Sequence, residues 1–519
     1  MLRRESPRFF YFIGALVLLL ASLPYLYAWR VAGEMHVFSG LLYNPLDGAS
    51  YLAKMRQGWE GAWRYRLAFT AEPGEGAFLF LYYLFLGHLA RFLHLPIPLT
   101  YHLARLAGTA ALLYALDAFY AAYLPPRARK TAFAFAALGS GMGWLALPFG
   151  LIPTDFSVPE AYPFLSAYVN PHFPLGLALA LLLLIPRPPE KKEMLLDGWI
   201  SLLLAVISPF GMVLVLLVRG GLALGRVRVP PRWSALEEGF RSLLPLVAGG
   251  LPYLLYTQWA VRADPLLAAW NAQNLTPAAP WWDVLLAFSP LLPLALWSLR
   301  GRERPSLLWV WVTAAFLLLY APLSLQRRFL MGVYVPLAGL GALALTAWDG
   351  ARRRLAVALA GALAAPTVLL ILLTVLSFPA APPPELYLTR AEADVLNWIA
   401  ANTPPESVVL ASPQLSVFIP AFAGRGVVYG HPFETVEAEA AEAAVLHFFA
   451  GSLTPADLPY LVPADYLLIG PRERALGAHP PPSPPLCRRA DVALWPYSVP
   501  RTAYSVPRYP ITQFPIPAP

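Results

Sequence analysis

Asp47 stands in the segment YNPLDGASYLAKMRQGWEGAWRYR, Tyr43 to Arg66, with Arg56, Arg64 and Arg66 behind it. A carboxylate in such a segment can take a proton from a hydroxyl, hold a divalent metal ion or orient an acceptor. By position alone it is also a helix N-cap. The three arginines suit an anionic phosphate, because a guanidinium is a planar fork of donors. Anchoring on a lipid surface would use the same charges. A second group lies in TDFSVPEAYPFLSAYVNPHFPLGLAL, Thr154 to Leu179. There His172, after Asn170 and Pro171, has the chemistry to move a proton near neutral pH, donate to a phosphate or bind a metal. A structural histidine at a helix start fits equally well. Asp155 and Glu160 are alternative metal ligands, and a divalent ion is the one cofactor these residues allow, but no spacing compels it. Arg327 and Arg328 sit side by side in Leu325-Gln326-Arg327-Arg328-Phe329, where two cations can meet a phosphate or snorkel from a helix end. His431 and Glu434, in Gly430-His431-Pro432-Phe433-Glu434-Thr435, follow a strand pattern, a common place for ligand contact. The competing reading there is local: Thr435 caps the next helix, and Glu434 and Glu437 support its first turn.

The elements that must position these residues are mostly membrane spans. The chain is 58% hydrophobic and 13% charged over 519 residues, with a mean hydropathy of +0.55. A soluble chain of this length needs far more charge. Eleven apolar segments predict spanning helices near 9–29, 100–124, 131–151, 174–185, 195–207, 210–224, 240–261, 282–299, 306–323, 329–348 and 355–378. Arg3, Arg4 and Arg8, and the loops PPRARK, PRPPEKK, GRVRVPPR, RGRER and DGARRR, alternate so that one side is basic. The N-terminus is then inside, and eleven crossings put the C-terminus outside. The stretch Phe78 to Leu95 breaks this alternation if it spans. As an interfacial helix within one long external loop, 31–99, it preserves it, and His88, Arg91 and His94 suit an interface. In the same loop Leu52, Met55, Trp59 and Trp63 fall at helical spacing.

From Glu385 onward there are 8 Lys+Arg against 12 Asp+Glu, leaving 30 against 18 for the rest. A basic membrane part with an acidic tail speaks for positive-inside anchoring plus an external domain, and against nucleic-acid binding. Residues 380–386 read as a proline-rich linker between a bundle, 1–379, and a small α/β domain, 387–519. In that domain Thr389 to Glu392 is a capping-box signal. SVVLAS, GVVYG and DYLLIG read as strands, and Glu434 to Phe449 as a helix. From Pro480 the composition predicts an extended proline-rich tail. The single Cys487 excludes an intrachain disulfide and any Cys-based metal cluster. No glycine-rich phosphate loop or nucleotide fingerprint is present.

The long first external loop with its acidic residue and juxtamembrane helices resembles the GT-C superfamily of membrane glycosyltransferases. So do the short helix pair broken at Ser208-Pro209 and the external α/β domain. The usual acidic pair of the first loop is reduced to Asp47 followed by Gly48. Lys54-Met55-Arg56-Gln57-Gly58 and Phe69-Thr70-Ala71-Glu72-Pro73 look like an uncharacterised bacterial subgroup. The resemblance implies an α-helical polytopic bundle of about eleven transmembrane helices with a C-terminal external α/β domain, in a bacterial inner membrane. It implies inverting transfer of a sugar from a polyprenyl-phosphate carrier to a glycan, lipid or protein acceptor. Asp47 then acts as base on the acceptor hydroxyl, or holds a metal or the acceptor, and Arg327 and Arg328 meet the carrier phosphate. A transporter, flippase or assembly subunit for lipid-linked glycans is the rival class. Against it, the chain shows no repeated halves, and few acidic residues lie within spans, Asp117 being the clearest.

Overall fold

The computed structural model describes residues 7–188, 190–226, 232–301, 305–322, 324–453 and 462–499. Arg3, Arg4, most of the GRVRVPPR and RGRER loops and the tail beyond Val499 lie outside the described residues. Contacts gather the chain into two compact units. The first holds the residues up to Leu26, His102–Thr257 and Leu275–Leu376; the second holds Tyr27–Tyr101, Gln258–Asn274 and the chain from Ser377.

The first unit is helical and membrane-like, but the described residues do not supply eleven uninterrupted candidate spans. Among the described residues five stretches are long and apolar enough to cross a membrane: Pro7–Val31, Ile97–Tyr123, Pro126–Phe149, Gln326–Leu345 and Gly350–Ser377. A sixth counts if Trp281–Phe288 and Leu291–Ser298, bent by 84°, form one span. Part of the shortfall is one of length. His172–Leu184 and Ser306–Leu319 have 13 and 14 residues. At ~1.5 Å per residue they reach about 20 Å, less than the ~30 Å hydrocarbon core. The expected break at Ser208-Pro209 is present, between Lys191–Ile207 and Pro209–Arg226.

The helix Tyr334–Leu345 is buried along its whole length. Phenol groups tie down the structure around it. Tyr334 donates to the Ser140 carbonyl at 2.6 Å, Tyr120 to Val335 at 2.9 Å and Tyr162 to Ala287 at 2.7 Å. A buried hydroxyl away from water keeps its place by finding such a partner. Arg105 is buried too. Its Nη1 donates to the Ala21 and Ala167 carbonyls at 3.0 and 2.7 Å, and its guanidinium covers the Tyr25 ring.

In the second unit the helices Pro45–Glu60 and Leu81–Leu93 cross in backbone contact. A Cβ on Gly58 would sit 2.0 Å from the Leu84 carbonyl, and one on Gly87 would sit 1.9 Å from that of Met55. Only glycine allows this approach. The 13-residue Leu81–Leu93 is about 20 Å long, too short to span, in keeping with an interfacial helix. Strand β1 (His36–Phe38) pairs antiparallel with β2 (Tyr387–Thr389). Strands β3 (Val408–Leu410), β4 (Gly426–Val427), β5 (Ala464–Ile469), β6 (Cys487–Arg489) and β7 (Val492–Val499) form a sheet in the order β4-β3-β5-β7-β6. β3 runs parallel to β4 and β5, and β7 runs antiparallel to β5 and β6. The three anticipated strands are β3, β4 and β5. The expectation of an extended chain from Pro480 is corrected by β6 and β7, whose Cys487, Val492 and Leu494 are buried. The prolines at 480–485 hid this hairpin, although only Pro496 falls inside β7. The capping box at Thr389 is as expected: Glu392 N donates to its Oγ1 at 3.1 Å, and Thr389 N donates to Glu392 Oε2 at 2.8 Å.

Candidate functional site

Asp47 lies in the first turn of Pro45–Glu60, but it is not the N-cap. That position is Asn44, held at φ 46°, and it makes no side-chain cap bond. Asn44 Nδ2 donates instead to Asp47 Oδ2 at 2.6 Å. A carboxylate in the first turn is stabilised by the helix dipole. The Asp47 side chain is 35% exposed, so it can reach a substrate.

Two turns further along the same helix, Lys54 is buried against Glu434. Its Nζ lies 2.7 Å from Glu434 Oε1 and 2.5 Å from Ser50 Oγ. Ser50 Oγ donates to the same Oε1 at 2.6 Å, and Tyr65 OH donates to Oε2 at 2.7 Å. The ammonium also faces the rings of Phe80 at 4.3 Å and Tyr65 at 4.9 Å. Phe80 adopts φ 51°, a strained value for a bulky residue, and its ring covers the ammonium. Burial alone would raise the Glu434 carboxyl, but Lys54, His431 and Ser50 outweigh it and hold it at about 2. Burial, with the Glu434 carboxylate beside it, keeps the Tyr65 phenol protonated.

Glu434 arrives on a loop, not in a helix turn. The expected helix begins only at Ala438, with Glu437 as its cap at φ 53°. Thr435 is therefore not that cap: its hydroxyl accepts from Gly430 N and His431 N and donates to the Phe69 carbonyl at 2.7 Å. His431 Nδ1 accepts from Phe433 N at 3.0 Å and Glu434 N at 3.2 Å. The proton of the neutral ring then sits on Nε2. That atom is buried without a hydrogen-bond partner, 3.9 Å from Asp47 Oδ1. Burial pushes the His431 pKa down against the pull of Glu434 and Asp47, so the ring is neutral at pH 7. One loop thus meets the Asp47 helix twice, at Lys54 and beside Asp47 itself.

Each arginine of this segment has a partner within the protein, though Arg56 gives only its Nε. Arg56 Nε bonds Glu60 at 2.8 Å, Arg64 Nη2 donates to the Gly76 carbonyl at 2.7 Å, and Arg66 pairs with Glu406 at 3.2 Å.

In the first unit Arg328 Nη1 lies 2.9 Å from Glu160 Oε1, with the Glu160 side chain 9% exposed. Glu160 is thus an ion-pair partner. Arg327 behaves differently: its Nε is buried without a partner, while its backbone N donates to the Thr276 carbonyl. Asn170 is buried, and its carbonyl accepts from Phe173 N. His172 opens the helix His172–Leu184 with its ring 4.1 Å from that of Phe173.

Asp155 is fully buried in the connection after Phe149. Its Oδ2 accepts from Thr367 Oγ1 at 2.8 Å and Gly143 N at 3.1 Å, while Oδ1 has no partner. Burial pushes its carboxyl up to about 7; the bonds from Thr367 and Gly143 oppose the shift, and nearby Asp283 adds to it. Asp283 in turn accepts from Thr154 N and Thr154 Oγ1. A Cβ on Gly143 would lie 1.8 Å from Asp155 Oδ1, so only glycine lets the backbone approach the carboxyl this closely. Among the described residues no three His, Cys, Asp or Glu side chains converge as metal ligands. His431 Nε2 lies 3.9 Å from Asp47 Oδ1.

The sequence reading missed Lys54, Ser50, Tyr65 and Asp283. Lys54 had a signal, being one of only four lysines in the chain and seven residues after Asp47. That spacing puts both near one helix face.

No protein-family model and no curated protein sequence matches the chain. Solved structures do. The chain is similar to the archaeal oligosaccharyltransferase AglB of Archaeoglobus fulgidus, solved with an inhibitory peptide and a dolichol-phosphate. The TM-score is 0.55 and the identity 14%, over 90% of this chain and 70% of that one. It is similar to ArnT of Cupriavidus metallidurans, with TM-score 0.51 and 13% identity, over 92% and 97% of the two chains. It is also similar to the mycobacterial arabinofuranosyltransferase AftD, with TM-score 0.50 and 15% identity, over 97% of this chain and 40% of that one. The fold is that of the GT-C transferases. At such identities the likeness is one of fold, and residue roles rest on this chain's own geometry.

Proposed function

We propose that this chain is a membrane glycosyltransferase that takes a sugar from a polyprenyl-phosphate carrier and passes it, with inversion, to an acceptor on the outer side of a bacterial cytoplasmic membrane. The GT-C fold supports the class, and the dolichol-phosphate in the AglB structure supports a carrier of that chemistry. The observation that carries the reading is Asp47: an accessible carboxylate on a helix fixed by a buried ion pair two turns away. A base held on a rigid element loses little freedom in the transition state.

Asp47 takes the proton of the acceptor hydroxyl as its oxygen bonds to the anomeric carbon. The bond from that carbon to the phosphate oxygen breaks in the same displacement, and the electron pair leaves with the polyprenyl phosphate. His431 holds a neutral Nε2–H beside the carboxylate. Separately, in the first unit, Arg327 has an Nε without a partner, a donor available to a phosphate. The test is turnover by the purified chain in lipid nanodiscs, given a polyprenyl-phosphate-linked sugar and an acceptor extract. Carrier-dependent transfer to the acceptor supports the reading; an unconsumed panel of carriers carrying pentose, hexose and aminosugar opposes it.

A further inference from the structure

The second unit contains an open groove of about 680 Å³ beside the crossing of Pro45–Glu60 and Leu81–Leu93, with no part in the chemistry above. Its walls include Arg56, Arg91 and His94 on one hand, and Leu52, Trp59 and Phe422 on the other. The volume lies within the ~300–1,000 Å³ of ordinary ligand clefts.

Its cations are underused. Arg91 is exposed, and its one hydrogen bond is a long one, Nη1 to the Trp59 carbonyl at 3.4 Å. Arg56 lies over the Trp59 ring at 4.7 Å and gives only Nε to Glu60. Glu60 also faces the buried Arg425 at 3.7 Å, so one carboxylate answers two arginines. His94 is exposed at the C-terminus of Leu81–Leu93, with φ 56°. The adjoining residues point to an amphiphile: Phe92 and Leu93 lie between Arg91 and His94 in the chain and are 79% and 48% exposed. A short interfacial helix with interleaved cations and large apolar side chains sits where lipid heads and tails meet.

We propose that this groove binds the phosphate head of an amphiphile, with Arg91, Arg56 and His94 around the phosphate and Leu52 and Phe422 along the tail. The inference rests on the membrane setting and not on sugar transfer.

The test is native mass spectrometry of the full chain in an uncharged detergent, with dioleoyl phosphatidic acid, dioleoylglycerol and inorganic phosphate as probes. Phosphatidic acid should bind and dioleoylglycerol should not. Arg91→Ala should weaken phosphatidic acid roughly tenfold, the size of one charge-assisted hydrogen bond. His94→Asn, which tolerates the positive φ, should weaken it less, and Arg488→Ala, on exposed β6, should not weaken it at all. Thermal midpoints near wild type show that the variants fold. Inorganic phosphate that displaces the lipid at equal concentration would overturn the amphiphile and assign the site to a free anion. Wild-type affinity in both Arg91→Ala and His94→Asn would overturn the site itself. Binding without any sugar transfer would sink the proposed enzyme and leave this site standing.

Discussion

Lys54 Nζ and Glu434 Oε1 are 2.7 Å apart, with the lysine side chain 1% exposed and the glutamate 12%. The pair fastens the Asp47 helix to the His431–Thr435 loop. A buried pair of this kind is costly to break from one side, because the remaining charge is left without compensation. Lys54→Met should therefore destabilise the protein by about 3–5 kcal/mol. The double variant Lys54→Met with Glu434→Gln should recover part of that loss, since contacting residues are not additive. Thermal unfolding of the four proteins in detergent checks this; simple additivity would contradict the coupling.

The same pair sets an acid limit. Glu434 in the folded protein is held at about 2, against an ordinary value of 4.5. A lowered folded pKa gives stability that is present above the unfolded value and lost as pH falls toward the folded one. Between pH 4.5 and about 2 wild type should lose stability, and Glu434→Gln should show a flatter profile over that window. Parallel curves would reject the assignment.

Asp155 should act in the opposite sense. Its folded pKa is raised to about 7 from 3.8. The stability it contributes is complete below 3.8 and is lost as pH rises through 7. Asp155→Asn should remove this decline, so the gap between the midpoints at pH 5 and pH 8 should narrow. An unchanged gap would show that the carboxyl is ionised throughout.

Arg327 and Arg328 should separate. Arg328 is committed to Glu160 at 2.9 Å, so Arg328→Ala leaves a nearly buried carboxylate alone and should lower the thermal midpoint. Arg327 has an unspent Nε, so Arg327→Lys should leave the midpoint near wild type and weaken a short-chain polyprenyl phosphate roughly tenfold. Equal behaviour of the two variants in both measurements would contradict this division.

Much of the architecture was legible because apolar length, basic loops and strand-like runs act locally. Ser208-Pro209 marked its break, and Thr389 with Glu392 announced its capping box. The span count was less legible, since Leu-rich stretches such as His172–Leu184 look apolar whether or not they are long enough to cross. The β6–β7 hairpin was masked by the prolines at 480–485 that precede it, and its Cys487 is buried. In the candidate site Asp47, His431 and Glu434 were singled out one at a time. Their convergence was invisible, because Lys54 and Glu434 are 380 residues apart and only the fold brings them together. Asp155 was one of two alternative metal ligands; its burial and its bond from Thr367, 212 residues away, could not be read from the sequence.

The most direct measurement of the central claim is sugar transfer by Asp47→Asn beside its thermal midpoint. Asp47 caps nothing; its one side-chain hydrogen bond is from exposed Asn44, so its loss should cost about 1 kcal/mol or less. A carboxylate acting as base contributes ~10²–10⁴-fold to rate. The variant should therefore keep a midpoint near wild type and the wild-type affinity for a polyprenyl phosphate, while transfer falls at least about a hundredfold. Transfer within a few-fold of wild type, in a variant just as stable, would contradict the account and remove Asp47 from the chemistry.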